Sequence, residues 1–169
     1  LGYRKTAAIN TAMQDLNTLK LIENKLCIGD GGAGKDPRVA EELFNKKSED
    51  VLDFMKYSFG EELDRIIISL GAGGGSGAGM MEPLAYAAKE LQETVKASAK
   101  QVGVILALPK ASEGRKVNAN AHGTLKKAFD LVDKGIISPL IILDNEKITK
   151  LYPNLVVSNF WQTANMSMC

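Results

Sequence analysis

The sequence predicts a three-layer α/β fold in which helices cover both faces of a mostly parallel, Rossmann-like sheet. Two observations predict it. Short apolar runs alternate with segments of helical periodicity, and two glycine-rich loops each follow a predicted strand and precede a predicted helix. Of the 169 residues, 45% are hydrophobic, which is enough for one domain with a substantial core. Ligands of such sheets bind at the carboxyl ends of the strands, so the loops at these ends form the candidate site.

The individual elements follow from the spacing of the apolar residues. The predicted strands are short and apolar: Thr6–Asn10, Lys25–Ile28, Leu63–Leu70, Val102–Leu108 and Ser138–Leu143. The predicted helices have one apolar face: Ala12–Leu19 as a helix or turn, a helix opened by Asp36-Pro37, Glu49–Tyr57, Met80–Lys100, Val117–Asp133 and the second half of Asn154–Met168. Because the chain starts with Leu inside a strand-like segment, we expect a fragment or a domain trimmed at its start.

The most informative segment is the glycine-rich run GAGGGSGAG at residues 71–79, between the third predicted strand and the long helix. Glycine lets a backbone approach a ligand closely, and the free N–H groups at a helix start favour an anion. No Lys follows Gly79, which excludes a Walker loop, and the dinucleotide spacing G-x-G-x-x-G is absent. The run therefore predicts a phosphate loop of an uncommon type, with Pro83 in the first turn of the helix. A flexible Gly/Ser linker and a loop packed against another backbone segment are the alternatives.

Charge and composition exclude several classes of function. The net charge of +1 gives no strong field for nucleic acid or anionic lipid. No apolar run approaches the roughly 18 residues that a membrane-spanning helix needs. Cys27 and Cys169 lie far apart in sequence and are interpreted as reduced thiols of a cytoplasmic protein. With only His122 to join them, no metal–cysteine site is expected, and His122 is interpreted as a surface or packing residue.

Several loops resemble those of the tubulin/FtsZ superfamily. Residues 73–79, GGGSGAG, resemble its signature loop, with Ser76 in place of the more usual Thr. Five further segments match in order and at suitable spacing: the Asn-Thr turn in Ala8-Ile9-Asn10-Thr11, the γ-phosphate loop in GAGKDP at 32–37, the sugar loop in SEGRK at 112–116, the guanine-reading loop in DNEK at 144–147, and Trp161 with Asn165 on the central helix. The resemblance covers essentially the whole chain.

The resemblance implies a GTP-binding, filament-forming GTPase that holds GTP or GDP with Mg²⁺. Residues 1–169 would form the GTP-binding domain, without its first strand and first glycine loop. The second domain and an acidic loop would follow Cys169. In the family that acidic loop completes hydrolysis in the neighbouring subunit of a filament, so no catalytic residue is expected within this chain. Mg²⁺ is expected to bind phosphate and water without a dedicated protein ligand.

The segment LALPKASE at residues 106–113 resembles plasmid and bacteriophage tubulin-like proteins of the TubZ type more than cell-division FtsZ. This resemblance implies positioning or segregation of phage or plasmid DNA in a bacterial cytoplasm. The expected partners are further copies of the chain, head to tail, and a DNA-binding adaptor, without direct contact to nucleic acid or membrane. An FtsZ-type protein, a nucleotide-gated filament with little hydrolysis and a Rossmann-type oxidoreductase are the alternatives.

The nucleotide site implied by the resemblance lies at the strand ends. Its residues are Asn10, Ala33, Gly34, Gly73, Gly74, Gly75, Ser76, Gly77, Glu113, Arg115, Asn145, Trp161 and Asn165. The phosphates would lie on the N–H groups of residues 74–77, and the Ser76 hydroxyl would add a bond. Ala33 and Gly34 would approach the γ-phosphate.

Three residues near the phosphates have ordinary structural alternatives. Lys35 is either a phosphate contact or a solvated side chain. Asp36 is interpreted as a helix N-cap in preference to a magnesium ligand. Asn10 would bind ribose or phosphate, or would form an Asx turn that ends a strand.

The sugar and the base involve a second group of residues. Glu113 would accept a hydrogen bond from a ribose hydroxyl and Arg115 would pair with phosphate, or both are exposed loop charges. Asn145 and Asn165 offer amides that suit the edge of guanine. Trp161 would stack on the base or belong to the core.

Overall fold

The computed structural model describes residues 5–151. The helix predicted within Asn154–Met168, together with Trp161, Asn165 and Cys169, lies outside the described residues. In chain order the elements are β1 (Ala7–Asn10), α1 (Met13–Asn17), β2 (Asn24–Cys27), α2 (Pro37–Lys46), α3 (Ser48–Phe59), β3 (Glu62–Leu63), β4 (Ile67–Gly71), α4 (Ser76–Thr94), β5 (Lys96–Ala97), β6 (Val102–Leu108), a 3-10 turn (Ala111–Glu113), α5 (Arg115–Asp133), β7 (Ile137–Asp144) and α6 (Asn145–Leu151).

All the described strand pairs are parallel. β1 pairs with β2, and a three-stranded sheet has the order β4-β6-β7. The register aligns Ser69 of β4 with Ile105 of β6, and Ile105 with Ile141 of β7. Parallel neighbours need crossover connections, and α4 and α5 supply them between the three strands of this sheet. The predicted parallel α/β fold is confirmed.

The core lies between the strands and the helices α2, α4 and α5. Small and medium apolar side chains on one face of α4 are fully buried, namely Met81, Ala85, Ala88 and Leu91. The predicted strand Val102–Leu108 is confirmed, and three of its residues are fully buried: Val102, Val104 and Leu106. Burial of such side chains contributes about 1.5–3 kcal/mol each, so this layer fixes the strand ends that carry the loops.

One polar side chain, Gln92 of α4, is also fully buried. Its Oε1 accepts a hydrogen bond from the backbone N–H of Ile66 at 2.6 Å, and its Nε2 donates to the carbonyl of Ala99 at 3.1 Å. A buried amide is favourable only when its groups are paired. Gln92 therefore holds the entry to β4 against the segment that leads into β6.

The long helix differs most from the prediction. It runs Ser76–Thr94 instead of Met80–Lys100, because the glycine-rich loop leads directly into it. Pro83 consequently lies in the helix interior, and its predicted place in the first turn is wrong. Proline lacks the N–H that would bond the carbonyl of Gly79, so one backbone bond of α4 is missing there. The helix ends early because β5 pairs with β3 in a short parallel ladder.

Smaller differences concern the bounds of several other elements, most of them by one or two residues at an end. β4 is Ile67–Gly71 rather than Leu63–Leu70, β2 is Asn24–Cys27 rather than Lys25–Ile28, and α5 starts at Arg115 rather than Val117. The helix opened by Asp36-Pro37 and the helix predicted at Glu49–Tyr57 are separate elements, since α2 ends at Lys46 and α3 begins at Ser48.

Candidate functional site

The glycine-rich loop joins β4 to the start of α4 and leaves part of its backbone open. Gly75 is the N-cap of α4, and no side chain caps this end within the described residues. Gly74 is exposed, and a Cβ added there would meet nothing within 4 Å. The first N–H groups of a helix lack intrahelical partners. This end of α4 therefore offers backbone donors and the positive end of a helix dipole beside open space.

Other glycines of the loop are needed because protein atoms lie close to them. A Cβ added to Gly75 would lie 2.7 Å from the Cβ of Ala33 and 3.1 Å from the backbone nitrogens of Lys35 and Asp36. One added to Gly73 would lie 3.1 Å from the Cγ of Pro109. The loop therefore agrees with two of the interpretations that the sequence left open: it packs against other backbone at Gly75, and it leaves space for a ligand at Gly74.

A second loop, between β2 and α2, packs against the first. Three of its residues have positive φ: Gly32 at 83°, Gly34 at 56° and Lys35 at 58°. Lys35 is the only non-glycine with positive φ among the described residues, and such a conformation is uncommon for a residue with a side chain. Ala33 is buried and Gly34 is exposed, so the loop presents open backbone next to Gly75.

Asp36 caps α2, as predicted. Its Oδ1 accepts from the backbone N–H of Arg38 at 3.1 Å. The Arg38 guanidinium donates to both carboxylate oxygens, at 3.1 Å and 2.8 Å. These hydrogen bonds, from the Arg38 side chain first and its backbone second, lower the pKa of Asp36 to about 2. The carboxylate is therefore committed to the helix start, which favours the N-cap interpretation over that of a magnesium ligand.

The N-terminal half of α5 holds both loops. Asn120 Nδ2 donates to the carbonyl of Lys35 at 3.0 Å and to the carbonyl of Gly73 at 3.3 Å. Thr124 is buried, and its hydroxyl donates to the carbonyl of Ala72 at 3.1 Å. Lys116 Nζ donates to the carbonyl of Gly34 at 3.3 Å.

Sequence reasoning missed Asn120 and Thr124, and it placed Lys116 only in the predicted sugar loop, without a role at the loop of Gly34. A signal was present, because polar residues spaced by four lie on one face of a helix. Such a stripe is also typical of a solvated face, and only the structure shows that it faces backbone carbonyls.

Asn10 forms an Asx turn at the end of β1. Its Oδ1 accepts from the N–H groups of Thr11 at 2.7 Å and Ala12 at 3.2 Å, and its Nδ2 donates to Asp15 at 3.2 Å. The structural alternative for Asn10 is thus present, and its assignment to ribose or phosphate stays a prediction. The neighbouring Thr11 is fully buried, and its hydroxyl lies 2.6 Å from that of Ser76. The hydroxyl of Ser76 therefore links α4 to the end of β1.

The predicted sugar loop after β6 is held by Glu113 within it and by Asn118 of α5. Glu113 Oε1 accepts from the backbone N–H of Lys110 at 2.7 Å. Asn118 Nδ2 donates to the carbonyls of Ala111 at 3.2 Å and Gly114 at 2.9 Å. Arg115 is exposed at the start of α5. Glu113 therefore has a structural role beside its predicted contact with ribose, while Arg115 remains free to turn towards an anion.

The predicted guanine loop begins α6, beside the sugar loop. Asn145 is 7% exposed and is the first residue of the helix. Asp144 Oδ1 accepts from the N–H groups of Glu146 at 3.0 Å and Lys147 at 3.1 Å. Glu146 Oε2 accepts from the N–H of Ala111 at 3.3 Å, which joins the two loops. Of the predicted site, Trp161 and Asn165 lie outside the described residues.

Other features add no second site. His122 is exposed and lines an open cavity with Asn118 and Asp144. Across residues 5–151, no three His, Cys, Asp or Glu side chains are grouped so as to hold a metal ion. The same residues contain no helix long and apolar enough to cross a membrane. Cys27 is a free thiol within that range and donates to the carbonyl of Gly29 at 3.0 Å.

The sequence is similar to archaeal FtsZ proteins. Cell division protein FtsZ of Methanothermobacter thermautotrophicus is 31% identical over 166 residues, which cover 95% of this chain and 39% of that protein. The chain thus spans about two fifths of the length of this curated relative. No protein-family model matches the chain.

Three solved structures illustrate the similarity in fold. The empty FtsZ dimer of M. jannaschii matches with a TM-score of 0.73 and 27% identity, over 96% of this chain and 44% of that one. The GDP-bound CetZ1 monomer of Haloferax volcanii matches with a TM-score of 0.79 and 23% identity, over 96% and 47%. TubZ of Clostridium botulinum phage c-st matches with a TM-score of 0.72 and 23% identity, over 95% and 48%.

FtsZ, CetZ and TubZ structures match comparably well, so the resemblance to the TubZ type in particular is not singled out. The chain has the fold of the FtsZ/tubulin GTPase domain, and its sequence and structural relatives support a place in the tubulin/FtsZ superfamily.

Proposed function

We propose that the chain binds guanine nucleotides at the strand-end loops, as the nucleotide-binding part of a tubulin-like, filament-forming GTPase. The observation that carries this proposal is the start of α4. It has no side-chain cap, it is open at Gly74, and the loop with Ala33 and Gly34 packs beside it. Backbone N–H groups at such a helix start are well suited to a phosphate chain.

The charges around this opening support an anionic ligand. Lys35 and Lys116 lie on the two elements that flank it, and Arg115 is exposed one residue before Lys116. The second loop carries two carboxylates: Asp30 is exposed, and Asp36 is paired with Arg38. Lys35 and Lys116 nevertheless place two cations beside the opening, where they are suited to pair with phosphate.

In this assignment each loop has a separate task. Gly73, Gly74, Gly75, Ser76 and Gly77 hold the phosphates through their backbone, and Ala33 and Gly34 approach the terminal phosphate. Glu113 and Arg115 contact the sugar and a phosphate. Asn145, with Trp161 and Asn165, reads and stacks on the base, and Asn10 reaches ribose or phosphate. Mg²⁺ would be held by phosphate and water, which suits its preference for an octahedral set of oxygens.

We propose that hydrolysis depends on assembly and is completed by an acidic loop of the next subunit. Phosphoryl transfer to water requires mainly positioning and charge stabilisation, and residues 5–151 hold backbone donors and cations for the phosphates. Support for self-association comes from relatives whose structures are protofilaments with bound GTPγS, namely CetZ2 of Haloferax volcanii and TubZ of Bacillus thuringiensis.

Two biological roles are proposed for such a filament. The segment at residues 106–113 favours a TubZ-type protein that positions phage or plasmid DNA through an adaptor in a bacterial cytoplasm. The identity of 31% to an archaeal FtsZ favours a cell-division role instead. Imaging the tagged protein in its own host separates the two, because a ring at the division site supports the second role and movement with a plasmid or phage genome supports the first.

The biochemical proposal is tested by calorimetric titration of the chain with GDP, GTPγS and ADP. Guanine and adenine differ at the edge that Asn145 would read, and each unpaired buried polar group costs about 1–3 kcal/mol. We therefore expect guanine nucleotides to bind at least tenfold more tightly than ADP. Equal affinities for GDP and ADP would contradict the assignment of Asn145 to the base. Failure to bind any of the three nucleotides would contradict the proposed function.

A further inference from the structure

We propose that Asn120 is a positioning residue that couples the loop of Ala33 to Asp36 to the glycine-rich loop, so that the site prefers a nucleoside triphosphate to a diphosphate. This inference rests on the proposed function. The observation behind it is one side-chain amide that donates to a carbonyl in each loop, Lys35 at 3.0 Å and Gly73 at 3.3 Å.

The two loops come from distant parts of the chain. Asn120 is 85 residues from Lys35 and 47 residues from Gly73 in sequence. Direct packing between the loops involves little more than backbone and small side chains, because a Cβ added to Gly75 would already be within 2.7 Å of the Cβ of Ala33. Such a contact sets a distance but does not fix orientation. The amide of Asn120 adds two directional bonds at the same junction.

The loop held by Asn120 needs this support. Lys35 has a φ of 58°, and a side-chain-bearing residue persists in the left-handed region only when its surroundings hold it there. Its carbonyl is the atom that receives the bond from Asn120. Removing the bond should therefore let Lys35 relax, and the open backbone at Gly34 should move with it.

The consequence for specificity follows from charge. Lys35 belongs to the loop that Asn120 holds, and Lys116 donates to the Gly34 carbonyl of the same loop. Both cations beside the open start of α4 are therefore tied to the position of this loop. A triphosphate carries more negative charge than a diphosphate, and the additional charge interacts most strongly with the nearest cations and donors. Displacement of the loop should therefore weaken triphosphate binding more than diphosphate binding.

The experiment measures the dissociation constants of GTPγS and GDP for the unmodified chain and for Asn120→Ala and Asn120→Asp. Asparagine and aspartate have the same shape, but aspartate cannot donate to the two carbonyls and also adds a negative charge beside the phosphates, so Asn120→Ala is the deciding variant. Asp130→Asn is the matched control, because Asp130 is exposed on the same helix, ten residues beyond Asn120 and outside the loops assigned to the nucleotide. From the loss of two ordinary hydrogen bonds, we expect the preference for GTPγS over GDP to fall about threefold to tenfold in both Asn120 variants and to remain unchanged in the control.

Amide hydrogen exchange of residues 32–36 provides a readout that does not depend on nucleotide. We expect faster exchange at these loop residues in the Asn120 variants, and unchanged exchange in the helices. If Asn120→Ala does not fold, Asn120→Ser is measured in its place, since it keeps a polar group at this half-buried position but cannot span both carbonyls.

The outcomes separate this inference from the proposed function. If the unmodified chain binds neither GDP nor GTPγS, the proposed function fails and the inference fails with it. If the unmodified chain binds both and the Asn120 variants weaken both by the same factor, Asn120 is only structural and the inference is overturned. A selective loss of GTPγS affinity together with faster exchange at residues 32–36 supports it.

Discussion

Replacing Gly74 by valine should abolish nucleotide binding while leaving the fold intact, whereas replacing Gly75 should damage the fold itself. A Cβ at Gly74 meets nothing within 4 Å, so a valine there is an exposed substitution that changes the free energy of unfolding by about 0.5 kcal/mol or less. A Cβ at Gly75 lies 2.7 Å from the Cβ of Ala33. Overpacking of this kind typically costs about 1–3 kcal/mol.

The effect of Gly74→Val on binding follows from the same open space. The valine side chain would occupy the volume in which a phosphate would lie against the α4 start. Losing two charge-assisted hydrogen bonds, at about 1.5–3 kcal/mol each, weakens binding by at least a hundredfold.

The assay combines GDP titration with thermal unfolding of Gly74→Val, Gly75→Val and the unmodified chain. We expect Gly74→Val to keep its melting temperature and lose GDP, and Gly75→Val to lose both. Normal GDP affinity in a folded Gly74→Val variant would refute the reasoning, because the phosphates would then have to lie elsewhere.

Two further predictions concern the fold. Replacing Gln92 by leucine should lower the free energy of unfolding by about 2–4 kcal/mol, because the buried N–H of Ile66 and the carbonyl of Ala99 lose their hydrogen-bond partner. Urea unfolding measures this change, and a loss below about 1 kcal/mol would contradict the assigned bonds. Because hydrogen bonds from Arg38 lower the pKa of Asp36 from 3.8 to about 2, the stabilisation from its charge is complete above about pH 4 and is lost as the pH falls towards 2. Asp36→Asn keeps a capping side chain but has no charge to lose, so its melting temperature should fall less between pH 4 and pH 2 than that of the unmodified chain. An equal fall in both proteins would show that the cap does not depend on charge.

The site could be predicted from sequence wherever a local rule operates. Asp36 followed by proline is a helix start that depends on neighbouring residues alone, and the structure has it as an N-cap. The glycine-rich loop was likewise evident, since its composition and its place between a strand and a helix have few explanations. From the sequence, however, Gly74 and Gly75 are equivalent. Only the packing of the second loop against Gly75 separates an open position from a crowded one.

What could not be predicted depends on contacts between distant segments. The interior position of Pro83 contradicts its local preference, because the core packing of α4 on both sides of it maintains the helix. The short pairing of β3 with β5 ended the helix earlier than its periodicity indicated. In sequence, Asn120 is indistinguishable from a polar residue on a solvated helix face. Its hydrogen bond to the Lys35 carbonyl joins residues that are 85 positions apart, and no local pattern predicts such a contact.

The helix α5 relates these loops to one another through two different faces. Lys116, Asn120 and Thr124 donate to carbonyls of the loop before α2 and of the glycine-rich loop, while Asn118 donates to carbonyls of the loop after β6. A helix is rigid over this length, so its faces keep a fixed angle to each other. A displacement of these two loops that turned α5 would therefore be transmitted to the loop after β6 and, through the hydrogen bond from the Ala111 N–H to Glu146, to the loop that begins α6. In the proposed nucleotide site, α5 thus links the loops that are assigned to phosphate, sugar and base.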